Sequence, residues 1–291
     1  MMNDLSPRAL VLEVGSGSSP WKRSDVLLDR FYVDETGQRG GGEIFRDRRP
    51  MVVAAGERLP FKDKVFDYVY CAHVIEHAED IANMLREMSR VAKAGFIECP
   101  NPLLERVLDQ DQHRWYITNV DGKLLIAPKT ADTNVTMRED RFYFHMMSGH
   151  FIVRYNWDKF VTRLYWSESI DFEVCDDVQR VFDRQSIEPG LEQSVQVNAD
   201  AVLRRAWIDA KKGRARLRLR QLPGSATAVR MLRRLRKWQR NQTPPRLDAQ
   251  AFHKLLACPH CRAELSRESA RYRCTMCARL FPDADGVAVL L

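Results

Sequence analysis

Between two short apolar runs, Phe66–Cys71 and Phe96–Glu98, six residues recur at helical spacing: Ile81, Met84, Leu85, Met88, Val91 and Ala92. They fall at i, i+3, i+4, i+7, i+10 and i+11, a continuous apolar stripe. Glu79 and Asp80 suit the positive end of such a helix. Strand, helix, strand is a βαβ unit, and its crossover makes the two strands parallel. Ala9–Val14, Val26–Leu28 and Met51–Ala54 are further short runs rich in aliphatic residues, each followed by polar or glycine-containing sequence. Runs of this kind suit strands buried on both faces, so the fold expected is α/β with a doubly wound parallel sheet.

A length of 291 residues allows one ordinary domain and a smaller unit, and 45% apolar with 29% charged residues suits a globular protein with its own core. No apolar run is long enough to span a membrane. The opening MMNDLSPRAL has no basic segment followed by an apolar one, so no secretory signal is expected. Four of the seven cysteines form two CxxC pairs, which without such a signal read as a metal site in a reducing compartment. The cytoplasm is the expected location. The net charge of +7 is uneven: Arg204 to Arg246 holds 15 Lys/Arg and one acid, Asp209. The remainder has 31 basic and 38 acidic residues, an acidic body on a basic segment.

Ala9-Leu10-Val11-Leu12-Glu13-Val14-Gly15-Ser16-Gly17 is a buried strand running into a Gly-x-Gly turn, where a ligand could approach the backbone closely. A dinucleotide fingerprint needs a third glycine, and Pro20 stands there instead. The acid two residues before Gly15 fits another cofactor. This stretch resembles the first motif of class I S-adenosylmethionine-dependent methyltransferases. Three more stretches follow in that family's order: Val26-Leu27-Leu28-Asp29, then Glu57–Phe61 with Phe66–Val69, then His73–His77 with its helix and Gly95–Pro102. The resemblance spans residues 9 to about 102. It implies a Rossmann-like seven-stranded methyltransferase sheet with S-adenosylmethionine as methyl donor. On this reading Glu13, Gly15, Ser16 and Gly17 hold the methionine end, Glu13 orienting its amino group. Asp29 accepts the ribose hydroxyls, and Ala55, Gly56, Glu57 and Cys71 are further cofactor-binding positions. Two departures stand out. Only Ser18 to Asp25 separate the turn from the second strand, so the usual first helix is short or absent. Ala55 replaces the aspartate expected at the adenine amino group, which leaves Glu57 or a carbonyl to substitute, or else a degenerate, non-catalytic site.

His73-Val74-Ile75-Glu76-His77 spells H-x-x-E-H, the spacing of an inverted zinc-peptidase motif. A peptidase needs it inside a helix, whereas here it follows the fourth strand, at the edge where open α/β sheets place ligands. Two readings stay open. In one, His77 is the general base for the methyl acceptor, with Glu76 as second choice. In the other, the stretch resembles the E-x-x-E-H loop of ubiquinone-type O-methyltransferases and small-RNA 2′-O-methyltransferases, with His73 in place of the first Glu. That resemblance implies a divalent cation at His73, Glu76 and His77, with His113 as a further ligand. A purely structural role for His73 is the plain alternative.

Cys258, Cys261, Cys274 and Cys277 give CxxC-x12-CxxC, two knuckles that close a four-thiolate structural Zn2+ site. His260 lies inside a knuckle and is not expected to ligate. Residues 252–291 resemble the Trm112-like zinc ribbons, whose small proteins partner methyltransferases acting on transfer RNA, ribosomal RNA and release factor. The resemblance implies that the ribbon packs on the chain's own methyltransferase domain, covering an apolar edge, or helps to recruit substrate.

The organisation expected is therefore a methyltransferase domain over 1–180, with an aromatic and histidine-rich cover from about 102, then a basic helical segment and linker over 181–250, then the ribbon over 251–291. Within the cover, Asp121-Gly122 between Tyr116–Val120 and Lys123–Ala127 predicts a type I′ hairpin. Phe142–Phe144 and Phe172–Val174 read as strand and Trp157–Trp166 as helix. The basic segment 204–246 could meet RNA phosphates or an anionic membrane surface. Three functions follow: an O-methyltransferase of unknown acceptor, with RNA or another translation component slightly favoured; a membrane-associated methyltransferase of a glycan or lipid-linked acceptor; or a non-catalytic zinc-ribbon adaptor. The absence of an N/D-P-P-Y type amide motif after the fourth strand favours oxygen as the acceptor atom.

Overall fold

The protein, here as a computed structural model, is described over residues 5–31, 47–108, 110–130, 157–184, 245–284 and 286–291. Its strands are β1 (Val11–Val14), β2 (Val26–Asp29), β3 (Met51–Val53), β4 (Phe66–Ala72), β5 (Ala92–Pro100), β6 (Trp115–Val120), β7 (Lys123–Pro128), β8 (Val161–Ser167), β9 (Phe172–Val174), β10 (Leu265–Glu268), β11 (Arg271–Cys274), β12 (Leu280–Ala284) and β13 (Val287–Val289). The helices are α1 (Ile81–Val91), α2 (Pro102–Leu108), α3 (Val178–Arg184) and α4 (Ala249–His253). β3, β2, β1, β4 and β5 lie side by side and parallel, with β8 antiparallel on β5. The βαβ unit forms as its periodicity predicts. Asp80 caps α1 by accepting the amide of Asn83, and Ile81, Met84, Leu85, Met88 and Val91 are buried beneath the sheet strands. Ala92 leaves the helical stripe and begins β5, with its amide still bonded to the Met88 carbonyl.

The sheet is larger than the seven strands expected. Among the described residues it has ten, six from the first part of the chain and four from the C-terminal unit, in the order β10-β11-β12-β13-β3-β2-β1-β4-β5-β8. The reason is an edge pairing. β13 lies parallel to β3, Ala288 opposite Val52, and the Leu290 amide donates to the Val53 carbonyl at 2.8 Å. The unit's entry is zipped on as well: the Lys62 amide bonds the Leu255 carbonyl and the Ala257 amide the Pro60 carbonyl. Phe252, Leu256, Tyr272, Phe281 and Leu290 belong to the same buried cluster as Leu12, Val14, Val69 and Ile97. Two units expected from sequence thus share one core.

β1 passes to β2 without a helix. Buried carboxylates hold the loop instead: Glu13 accepts the Trp21 amide on both oxygens and the Ser24 hydroxyl at 2.6 Å, while Asp25 accepts the Val11 amide. On this second face of the sheet, Val11, Tyr68 and Phe96 pack with Leu5, Trp21 and Tyr70, and no helix is part of that cluster. The doubly wound arrangement is therefore present on only one face among these residues.

The predicted hairpin is present, with Asp121 at φ 51° and Gly122 at φ 91°, both in the left-handed region a type I′ turn demands. It leaves the main sheet, and with β9 makes a separate three-stranded one. Trp157–Trp166 is a correction. Only Trp157–Lys159 is a helical turn, and Val161–Ser167 is strand, since alternate residues bury against β5. Phe142–Phe144, and the basic segment apart from Pro245 and Arg246, lie outside the described residues. No helix among the described residues is long and apolar enough to cross a membrane.

Gly95 on β5 faces the Trp166 ring of β8, and a Cβ there would sit 2.6 Å from ring carbons. Gly95→Ala should destabilise the protein by about 1–3 kcal/mol through overpacking. Trp166→Leu in the same chain should recover part of the loss, as read by urea denaturation of the single and double variants.

Candidate functional site

The glycine turn after β1 is shaped by the strands on both sides of it. Gly15 and Ser16 donate their amides to the Leu28 carbonyl, and Gly17 donates to Asp29 Oδ2 at 2.9 Å. The other Asp29 oxygen accepts the Phe31 amide. Gly15 has φ 76°, and a Cβ on it would lie 2.2 Å from a methyl of Val74. The first glycine is thus required by close approach of the His73–His77 turn, a packing demand in addition to any ligand.

A cavity of about 890 Å3 opens between this turn, the ends of β2 and β3, the His73–His77 turn and the β6–β7 hairpin. Of the residues carried over for cofactor binding, Gly15, Asp29, Gly56 and Glu57 line it. Glu13, Ser16, Gly17, Ala55 and Cys71 do not line it. Glu13 is turned into the helix-less loop, where Trp21 and Ser24 occupy its oxygens. Cys71 is fully buried, and burial pushes its thiol well above the usual range. Phe31, Ala54 and Met84 add apolar wall. Phe31 carried a usable signal in sequence, an aromatic two residues past the acid that ends β2. A carboxylate, a backbone turn and apolar wall in one cavity fit a nucleoside whose ribose meets Asp29. Both carboxylates accept bonds from the fold, Glu13 from Trp21 and Ser24 and Asp29 from Gly17 and Phe31, and they differ in that only Asp29 lines the cavity.

The His73–His77 turn is held under the β6 segment. The Arg114 amide donates to the Glu76 carbonyl, Trp115 Nε1 to the Ala78 carbonyl, and His77 Nδ1 meets the Gln112 carbonyl at 3.2 Å. These bonds bring His113 beside His77, ring centroids 4.6 Å apart and nearly perpendicular. Among the described residues two groups could hold a metal ion, and one is Glu76, His77 and His113, whose ligand atoms lie within 4.8 Å of one another. The set carried over from sequence changes accordingly, with His113 in place of His73.

His73 lines the same cavity but is held by a different carboxylate. Its backbone is left-handed at φ 56°, and its Nε2 bonds Glu98 at 3.2 Å, with Glu98 also held by Arg163. Burial would lower the His73 pKa, but the negative charges of Glu76 and Glu98 beside the ring outweigh it and raise it to about 9. His77 differs: burial lowers its pKa, so it is neutral at pH 7 and able to accept a proton or a metal. Both Glu76 oxygens are buried without a hydrogen-bond partner, and His73 Nδ1, 3.6 Å from Oε1, is beyond a good hydrogen bond.

The second metal-competent group is Cys258, Cys261, Cys274 and Cys277. Sulfur pairs at 3.3 and 3.7 Å approach the roughly 3.8 Å edge of a tetrahedron with Zn–S bonds of about 2.3 Å, so the cysteines fit a closed structural site. The Cys277 amide points at the Cys274 sulfur, as a CxxC knuckle requires.

Comparison with known proteins adds to this geometry. Residues 36–97 match the model of a methyltransferase domain family. The chain is 30% identical over 95 residues to a demethylmenaquinone methyltransferase of Streptomyces griseus, a stretch covering 32% of this chain and 41% of that protein. It is 27% identical over 127 residues to the mitochondrial 2-methoxy-6-polyprenyl-1,4-benzoquinol methylase of Dictyostelium discoideum, covering 40% of each. It therefore spans about two fifths of the length of these relatives. Among solved structures, a complex of the Haloferax volcanii Trm112 methyltransferase activator with a methyltransferase is matched at 20% identity and a TM-score of 0.28, over 34% of this chain and 48% of that one.

Two outcomes test the site. Glu98, bonded to His73, has its pKa lowered from 4.5 to about 2, so its contribution is present above pH 4.5 and lost as pH falls through 2. His73, raised from 6.5, contributes fully below pH 6.5 and loses its contribution as pH rises through about 9. The stability gap between wild type and His73→Gln should be widest from about pH 4.5 to 6.5 and close toward pH 9, in denaturant midpoints across pH. Separately, purified protein should carry about one zinc per chain by elemental analysis, and Cys258→Ser should lose it together with the cooperative unfolding transition.

Proposed function

We propose that this chain is an S-adenosylmethionine-dependent methyltransferase that acts on a hydroxyl-bearing acceptor, with a divalent cation at Glu76, His77 and His113. The observation that supports the cation is the Glu76 carboxylate, buried and without a hydrogen bond on either oxygen beside two imidazoles. A buried carboxylate without a hydrogen bond is costly, the nearest cationic group being His73 Nδ1 at 3.6 Å, and a bound ion would complete its compensation. One carboxylate and two imidazoles suit a first-row transition metal better than Mg2+ or Ca2+. S-adenosylmethionine, when bound, supplies a methyl group on a good leaving group. The chain's own task is then alignment and proton removal. Asp29 would anchor the ribose, and the Gly15 turn would set the depth of the methionine end. His77, neutral and facing the same cavity, would take the acceptor proton or share in a metal site that acidifies it.

For the acceptor, similarity to two proteins named as quinone-type methyltransferases favours a phenol-like ring, methylated on oxygen or carbon. An RNA hydroxyl is the second reading, carried by the four-cysteine unit beside the cavity, which resembles the Trm112-like ribbons. Glu57 lines the methyl cavity and also a smaller one shared with Pro259, His260 and Arg262 of that unit. The adaptor reading rests on the engaged Glu13 and on Ala55.

Calorimetry decides between enzyme and adaptor. S-adenosylmethionine should bind wild type, and Asp29→Ala should weaken it by about 10- to 100-fold, the worth of a charge-assisted hydrogen bond of roughly 1.5–3 kcal/mol. No heat from wild type at hundreds of micromolar ligand would leave the adaptor standing.

A further inference from the structure

Behind His113 lies a buried charge pair that no step above uses. Glu105, on α2, and Lys129, just past β7, have side chains only 2% and 3% exposed. Lys129 Nζ meets Glu105 Oε2 at 3.2 Å and the Gln110 carbonyl at 3.0 Å. The other Glu105 oxygen is bonded to His113 Nδ1, and His113 is itself buried. Three ionisable groups from three separate segments are therefore gathered out of water, at a desolvation cost.

We infer that Glu105 and Lys129 are a positioning pair for His113, which rests on the reading that His113 serves the site. A carboxylate on Nδ1 fixes that nitrogen as the N–H donor and leaves Nε2 as the lone-pair nitrogen. The ring then cannot turn over without breaking a buried charge-assisted bond. Lys129 balances the Glu105 charge, so Glu105 orients the ring without adding a second net negative charge to the one on Glu76. The backbone around the ring is held as well: the Lys129 amide extends the β6–β7 ladder by bonding the Arg114 carbonyl, and the Arg114 amide bonds the Glu76 carbonyl.

The test uses the full chain in the variants Glu105→Gln, Glu105→Asp and Lys129→Met. Far-ultraviolet circular dichroism and the urea midpoint of each variant serve as the check on folding. Long-range proton–nitrogen spectra of the His113 ring should show the Nδ1–H form in wild type, a mixture of forms in Glu105→Gln, and recovery in Glu105→Asp. Co2+ titration should show about a 10- to 100-fold loss of affinity in Glu105→Gln and a loss in Lys129→Met. A wild-type ring protonated at Nε2, or a Glu105→Gln protein with unchanged ring spectrum and unchanged Co2+ affinity, would overturn the inference. A wild type that binds no Co2+ but whose His113 form depends on Glu105 would remove the metal reading and leave the positioning role in place.

Discussion

The three-residue strand β3 would be the open edge of a parallel sheet, and β13 closes it. Parallel strands are buried on both faces and leave a row of unpaired amides and carbonyls wherever the sheet stops. Here the chain returns after more than two hundred residues to fill that row, and it carries the four-cysteine unit in with it. Phe252, Leu256 and Phe281 then enter the core already made by Leu12, Val69 and Ile97. A unit of about forty residues is too small to make such a core alone, so the cysteine cluster and the shared sheet support each other. The cavity lies beside this closure, with Leu28 and Asp29 of β2 and Ala54, just past β3, in its wall.

A second constraint is the missing helix between β1 and β2. Without it, the loop amides and hydroxyls need acceptors, and the buried carboxylates of Glu13 and Asp25 supply them. That structural use takes Glu13 away from the cavity. One residue type at one position can serve a cofactor when a helix follows and serve the backbone when none does. The aromatic row Trp21, Tyr70, Phe96 and Tyr165, with neighbouring rings 4.8 to 5.6 Å apart, runs across the same face of the sheet.

The histidines show how strongly environment outweighs spacing. His73 and His77 are four apart in one turn, yet two carboxylates raise the pKa of one ring and burial lowers that of the other. The backbone makes the difference. The left-handed conformation at His73 goes with a ring bonded to Glu98, and the 3-10 turn Ile75–His77 sends His77 under the β6 segment. The histidine that does join His77 comes from thirty-six residues further along.

Sequence by itself determined the elements whose signal is local. The α1 stripe, the short buried strands, the Asp121-Gly122 hairpin and the CxxC pairs each carry their periodicity or turn chemistry within a few residues. Sequence alone also placed Asp29, Gly15 and the His73–His77 turn at one end of the sheet, because strand order in a βαβ array is restricted by its crossovers. What only the tertiary structure decided depends on contacts between distant segments: the β13–β3 pairing, the strand rather than helix at Val161–Ser167, the diversion of Glu13, the exchange of His73 for His113, and the burial of Glu105 with Lys129. None of these has a period or a spacing to read. Each is set by which side chain is left without water or a partner once the sheet has closed.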